Sequence, residues 1–142
     1  MNQRELILAA WEKHKATRAP SKKMQMAEEF FGYVEEHPEF CWIQLSKKFR
    51  SDYYEAFDEI VPVLMETDDP FVVHNLVRFA DLDQEKEVDA AKEIATNVDP
   101  GRHEVTMAKL AGTKNETIRG AVKKRAKLPD AVKSRLSAKD EQ

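Results

Sequence analysis

The sequence has little of three things on which other fold classes depend: cysteine, glycine and long apolar runs. Its single cysteine, Cys41, excludes an internal disulfide and a cysteine-rich zinc site, and we expect it to be a small core residue in a reducing compartment. Four glycines among 142 residues leave few of the turns that bound short strands, so helices are favoured. The longest apolar run, residues 60–65, is far shorter than the roughly 20 residues that span a bilayer.

The first 18 residues also lack the apolar block and the small-residue cleavage site of a signal peptide. We therefore expect a cytoplasmic protein that does not enter the membrane. A hydrophobic fraction of 42% beside a charged fraction of 35% is typical of a folded, soluble protein, and a chain of this length can bury a core. We expect a single helical-repeat domain over residues 1–142.

Charge is distributed unevenly along the chain although the net charge is only -3. Residues 1–50 carry nine basic and seven acidic side chains, residues 51–99 carry three and fourteen, and residues 100–142 carry eleven and five. In a helical solenoid this order would give an acidic middle and a basic end. The competing interpretation is that these charges only solvate outer helix faces.

Two copies of one pattern occupy residues 69–129, and each begins with an Asp-Pro pair followed by two helices. Asp69-Pro70 and Asp99-Pro100 stand 30 residues apart. The matched apolar positions are Leu76 with Met107, Phe79 with Leu110, Ala80 with Ala111, Val88 with Ile118 and Ala91 with Ala121. Such a period indicates stacked helical hairpins. Residues 1–68 would form divergent hairpins, 69–137 the clearer repeats, and 138–142 a loose tail.

Apolar spacing predicts nine helices, at about 3–17, 22–36, 39–50, 53–66, 70–80, 84–97, 101–111, 115–127 and 130–137. Ser21 is the predicted N-cap of the second, and Ser51 or Asp52 that of the fourth. Pro62 lies inside the fourth helix, where we expect a kink or an early end. The predicted class is all-α.

A set of residues in the C-terminal third carries a family pattern, namely Asn115, Ile118, Arg119, Ala121, Val122, Leu128, Pro129, Val132, Leu136 and Asp140, preceded by Met107, Leu110 and Ala111. In these residues the chain resembles short HEAT-like and leucine-rich-variant helical repeats. The resemblance implies an α-solenoid-like stack of about four antiparallel helical hairpins. It further implies a non-catalytic scaffold that binds another protein, or in some cases nucleic acid, on a helix face.

The same stretch, residues 108–127, is also similar to a helix-turn-helix of the lac-repressor type. Ala108, Ala111, Gly112, Thr117, Ile118 and Ala121 match its spacing. Gly112 would supply a left-handed turn residue, and residues 115–127 would be the recognition helix. Thr113 departs from this pattern, because the motif usually buries an aliphatic residue there. This alternative implies nucleic-acid binding.

Basic residues cluster in the last predicted helix of this stretch, where they are candidate contacts for nucleic acid or an acidic partner. Arg119, Lys123 and Lys127 follow one another at i, i+4 spacing, and Lys124 lies beside them. Three cations on one helix face could follow a phosphate backbone. The competing interpretation is an ordinary helix surface, because cations near a helix C-terminus also satisfy the last carbonyls and the helix dipole.

His74 and Arg78 stand one turn apart on an otherwise apolar helix and could line a binding groove or form a buried polar pair. The acidic residues 81–89 lack the glycine and the bidentate glutamate of a calcium loop. No phosphate loop, nucleophile elbow or His-Glu-x-x-His pattern occurs. The sequence therefore predicts no metal, no cofactor and no catalysis, but a protein partner that it does not identify.

Overall fold

The computed structural model describes residues 2–140, and within that range the chain is all helical with no strand. Its α-helices are α1 (Gln3–Lys15), α2 (Lys22–Glu36), α3 (Trp42–Asp52), α4 (Phe57–Glu66), α5 (Pro70–Arg78), α6 (Glu85–Asn97), α7 (Glu104–Ala111), α8 (Glu116–Lys123) and α9 (Asp130–Asp140), with a 3₁₀ turn at Tyr54–Ala56. The predicted all-α class is confirmed. None of the helices in the described part of the chain is long and apolar enough to cross a lipid bilayer.

The helices group into two compact units that divide within α5, the first ending at Asn75 and the second beginning at Leu76. In the first unit, α1 packs on α2 and α4, α2 also packs on α4, and the 3₁₀ turn contacts α2, α3 and α4. In the second unit, α6 packs on α8, and α7 packs on α8 and α9.

Side-chain caps begin several of these helices. The Oγ of Ser21 accepts a hydrogen bond from the Met24 N–H at 3.1 Å, so the predicted cap of α2 is confirmed. The carboxylate of Asp69 accepts the N–H groups of Phe71 and Val72 at 3.0 and 3.1 Å. These caps satisfy backbone donors that have no partner inside the helix.

The predicted cap at Ser51 or Asp52 is wrong, because both residues lie inside α3. The Asp52 carboxylate accepts a hydrogen bond from Lys48 one turn earlier, with Nζ and Oδ2 2.6 Å apart, and this bond lowers the pKa of Asp52. The carboxylate is thus held by its own helix. The chain then passes through the 3₁₀ turn before α4 begins at Phe57.

Helix α4 does not end early at Pro62 but continues to Glu66. Proline removes one backbone hydrogen bond from a helix interior. However, Ile60, Val61, Val63 and Leu64 beside it are all buried. The burial of four large apolar side chains offsets the lost bond.

Aromatic side chains form the core of the first unit. Phe30, Phe31, Phe49 and Phe57 are each at most 1% exposed. The Trp11 ring stacks on Phe31 with centroids 4.6 Å apart, and Phe49 stacks on Phe57 at 5.0 Å. These contacts tie α1 to α2 and α3 to α4.

The three largest differences from the predicted helix boundaries of the second unit are at the start of α7, the end of α8 and the end of α9. Helix α7 begins at Glu104 and not at 101, because the Asp99 carboxylate accepts the Gly101 N–H at 3.0 Å and forms a turn there. Helix α8 ends at Lys123, before a turn that leads to Pro129. Helix α9 continues through Asp140, since residues 138–140 contain no helix breaker. The rest of the predicted tail, residues 141–142, lies outside the described residues.

Candidate functional site

The structure buries Arg119, the first of the four predicted cationic contacts. Its side chain is 4% exposed, and its guanidinium donates to the carbonyls of Ala111 and Leu136, each at 3.4 Å, and to the Glu116 carboxylate at 3.0 Å. Ala111 ends α7, and Leu136 lies in α9. Arg119 therefore joins three helices inside the unit, and its charge is not presented on the surface.

The other three cations, Lys123, Lys124 and Lys127, are exposed. Arg119, Lys123 and Lys127 do not share one helix face as predicted, because α8 ends at Lys123 and Lys127 has a left-handed backbone with φ 59°. Between Lys124 and Lys127, Arg125 is half-buried and donates from Nη1 to the Ala95 carbonyl at 2.7 Å, near the end of α6. The basic segment thus combines a cation that caps a neighbouring helix with three exposed lysines.

Two features of the helix-turn-helix prediction are wrong. Gly112 has φ -88°, which is right-handed, so it does not supply the left-handed turn residue. The helix that follows has eight residues and does not reach 127. It packs on both α6 and α7 and buries Ile118, Arg119 and Val122.

His74 and Arg78 lie one turn apart on α5, as the sequence predicts, but in different environments. His74 is half-buried. Arg78 is exposed, and its guanidinium carbon lies 5.2 Å from the centroid of the Phe79 ring. This cation–π contact holds Arg78 against its own chain.

A different surface in the first unit has the form of a binding site. It is an open groove of about 600 Å³ formed by the start of α1, the end of α2, the segment before α3 and the start of α5. We call it the aromatic groove, and its lining residues are Asn2, Gln3, Arg4, Ile7, Val34, His37, Pro38, Phe40, Cys41, Trp42, Leu45, Asp69 and Phe71. Phe40 and Phe71 are 37% and 42% exposed, which is unusual for phenylalanine.

Hydrogen bonds between helices fix the walls of the aromatic groove. The Trp42 indole N–H donates to the Val72 carbonyl at 3.2 Å, which ties the start of α3 to α5. The Arg4 guanidinium donates to the Val34 carbonyl at 3.2 Å and also to the carbonyl of Glu35, so it caps the end of α2. The groove is therefore largely formed before any ligand binds.

Side chains at one end of the aromatic groove stack on one another. The His37 ring lies on the Tyr33 ring with centroids 4.0 Å apart, and Phe40 meets His37 edge to face at 5.5 Å. Cys41, which we expected in the core, is exposed here at the N-cap of α3. The arrangement offers aromatic faces and edges to an apolar side chain, with polar groups at the rim.

Our sequence reasoning missed this groove, although Phe71 gave a signal. The buried stripe of α5 consists of Val72, Val73, Leu76 and Val77. Phe71 lies off that stripe, and a large aromatic residue on the outer face of an amphipathic helix indicates a contact surface. For Phe40 the predicted helix began too early, because α3 starts at Trp42 and leaves Phe40 in the preceding turn.

The described chain is thus an all-α protein whose helices pack into two units. No family model, curated protein or solved structure matches it.

Proposed function

We propose that this chain is a non-catalytic binding module, a protein-interaction scaffold of HEAT-like type. The observation that carries the proposal is the aromatic groove, where Phe40 and Phe71 are exposed beside a wall that is already held by hydrogen bonds. Exposed aromatic clusters on soluble proteins mark interaction sites, because burying them on a partner removes apolar area from water. The proposed occupant is a large apolar side chain of a protein partner.

The HEAT-like part of the proposal is supported by the order of contacts in the second unit. Helix α6 packs on α8, and α7 packs on α9, so helices two apart in sequence are neighbours. Arg119 bonds to both α7 and α9, and Arg125 bonds from the turn after α8 to α6. Stacked repeats that contact only their neighbours give this order. The proposed architecture is an α-solenoid of about four antiparallel hairpins.

The proposal predicts that the two exposed phenylalanines are binding hot spots. A displayed library of random peptides would be selected on the wild-type protein, and the survivors measured against Phe40→Ala and Phe71→Ala. We expect each substitution to raise Kd at least about tenfold, because truncation of an aromatic hot spot costs about 2 kcal/mol or more. The selected peptides should share a large apolar residue.

Val105→Ala is the matched control for this experiment, since Val105 is also an exposed apolar residue, at 70%, and lies in the other unit. Its peptide affinities should equal those of the wild type. Circular dichroism of each variant would check that the fold is intact. A selection in which no peptide depends on Phe40 or Phe71 would contradict the proposal.

Nucleic-acid binding is the second candidate, because Lys123, Lys124 and Lys127 are exposed within one short segment. We expect labelled mixed-sequence DNA or RNA to bind the wild type at low salt and to bind Lys123→Glu/Lys124→Glu far more weakly. Loss of two phosphate contacts should make the negative slope of log K against log salt shallower by about two. Fluorescence anisotropy at several salt concentrations measures both quantities.

The control carries the same charge change in the first unit, Lys22→Glu/Lys47→Glu, at two exposed lysines. It should bind nucleic acid nearly as the wild type does if the contact is local to the basic segment. Equal losses in both variants would show a general effect of net charge, and no binding at low salt would eliminate this second candidate.

A further inference from the structure

The first unit has a second groove, on the seam between α1 and α2. Its volume is about 290 Å³, and it is bounded on both sides by residues at helical spacing. We call it the acidic groove, and its lining residues are Leu8, Ala9, Trp11, Glu12, Lys15, Glu28, Phe31, Gly32 and Glu35. The stacked rings of Trp11 and Phe31, each nearly fully buried, form its apolar floor.

Gly32 keeps this groove open in the middle of α2. Glycine is the least favourable residue in a helix interior apart from proline, so its presence there needs a reason. A Cβ atom built on Gly32 meets nothing within 4 Å, so close packing inside the fold does not require glycine at this position. The missing side chain leaves room for another backbone to approach, and Ala9 on the α1 side is small as well.

The charge at this groove is predominantly negative. Glu12, Glu28 and Glu35 stand around the single cation Lys15, whose Nζ lies 2.9 Å from the Glu12 carboxylate. The hydrogen bond that Lys15 donates to the Glu12 carboxylate raises the pKa of Lys15, and the charges of Glu28 and Glu35 act in the same direction. The negative field therefore comes from both helices, and a cationic partner would complement it.

We propose that the acidic groove docks a cationic α-helix of a partner protein, with its backbone over Gly32 and its Lys or Arg side chains at Glu28 and Glu35. A helix fits because the seam between two helices presents side chains at spacings that match a third helix. Glu28 and Glu35 are seven residues apart, or about 10 Å along the axis, so cations at i and i+7 of the partner would reach both. This surface is separate from the aromatic groove, and the proposal does not depend on that site.

The test uses a displayed library of helical 15-residue peptides, depleted on Gly32→Leu protein and then selected on the wild type. We expect the survivors to carry net positive charge with Lys or Arg seven residues apart. They should bind Gly32→Leu at least about tenfold more weakly, because the leucine fills the groove. Glu28→Gln/Glu35→Gln should also bind them more weakly and with less dependence on salt.

Three controls make the result specific. Leucine is a better helix former than glycine, so Gly32→Leu should keep its helix content and melt at no lower temperature than the wild type. Ala9→Leu fills the groove from the other helix and should weaken the same peptides. Phe71→Ala, in the aromatic groove, should leave their affinity unchanged, so failure of one site is distinguishable from failure of the other. Survivors that are neutral or acidic, or the absence of any survivor after the depletion on Gly32→Leu, would overturn the proposal.

Discussion

Replacing Arg119 by leucine is expected to destabilise the second unit by about 3 kcal/mol. The Arg119 side chain is 4% exposed, and its guanidinium caps the Ala111 carbonyl at the end of α7 while also donating to the Leu136 carbonyl in α9. Leucine cannot donate, so a buried helix-end carbonyl would be left without this donor. Glu116 would lose its partner at little cost because its side chain is 79% exposed and remains hydrated.

Urea unfolding followed by circular dichroism would measure this loss, with Lys124→Leu as the control. Lys124 is exposed one residue beyond α8, and its replacement should change stability by no more than about 0.5 kcal/mol. The loss of stability in Arg119→Lys should lie between the losses in Arg119→Leu and Lys124→Leu, because one ammonium cannot reach three acceptors on different helices. If Arg119→Leu unfolds at the wild-type urea concentration, the structural role assigned to this arginine is wrong.

The burial of Arg119 could have been predicted from its position in the helix. It follows Ile118 directly and precedes Val122 by three residues, so all three share one face. We interpreted it as a surface cation from its residue type, since arginine is rarely buried. Helical periodicity was the stronger signal, and the packing of α8 on α6 and α7 followed it.

Most helices were predicted well, because the caps and apolar stripes that define a helix lie within it or within a few residues of its ends. The bounds of α2, residues 22–36, agree with the prediction since Ser21 caps the helix and Ala27, Phe30, Phe31 and Val34 form one stripe. Helix ends were less well predicted where a tertiary contact decides them. Arg125 illustrates this, because it lies beyond the end of α8 and bonds to Ala95 in α6.

The aromatic groove could not be predicted from local patterns, because its walls come from separate stretches of the chain. Arg4 reaches Val34 across 30 residues, and Trp42 reaches Val72 across the same separation. No periodicity within one helix encodes such pairings. The acidic groove depends in the same way on which faces of α1 and α2 meet, although Gly32 inside an amphipathic helix was a visible irregularity.

Phe30→Ala is expected to destabilise the first unit by about 3–5 kcal/mol. Phe30 is 0% exposed, and its ring contacts those of Phe31, Phe49 and Tyr53 with centroid distances of 5.0, 5.3 and 5.6 Å. Alanine would leave a cavity where α2 meets α3 and would remove all three ring contacts. The total free energy of unfolding of a small domain is about 5–15 kcal/mol, so this one substitution would remove a large fraction of it.

Urea unfolding of Phe30→Ala, Phe30→Leu and Phe40→Ala would test this expectation. Phe30→Leu keeps much of the volume and should cost less than half as much as alanine. Phe40→Ala removes the same atoms from a side chain that is 37% exposed, so the fold should lose about 1 kcal/mol or less while peptide binding weakens. Equal destabilisation by Phe30→Ala and Phe40→Ala would contradict the assignment of one phenylalanine to the core and the other to a binding surface.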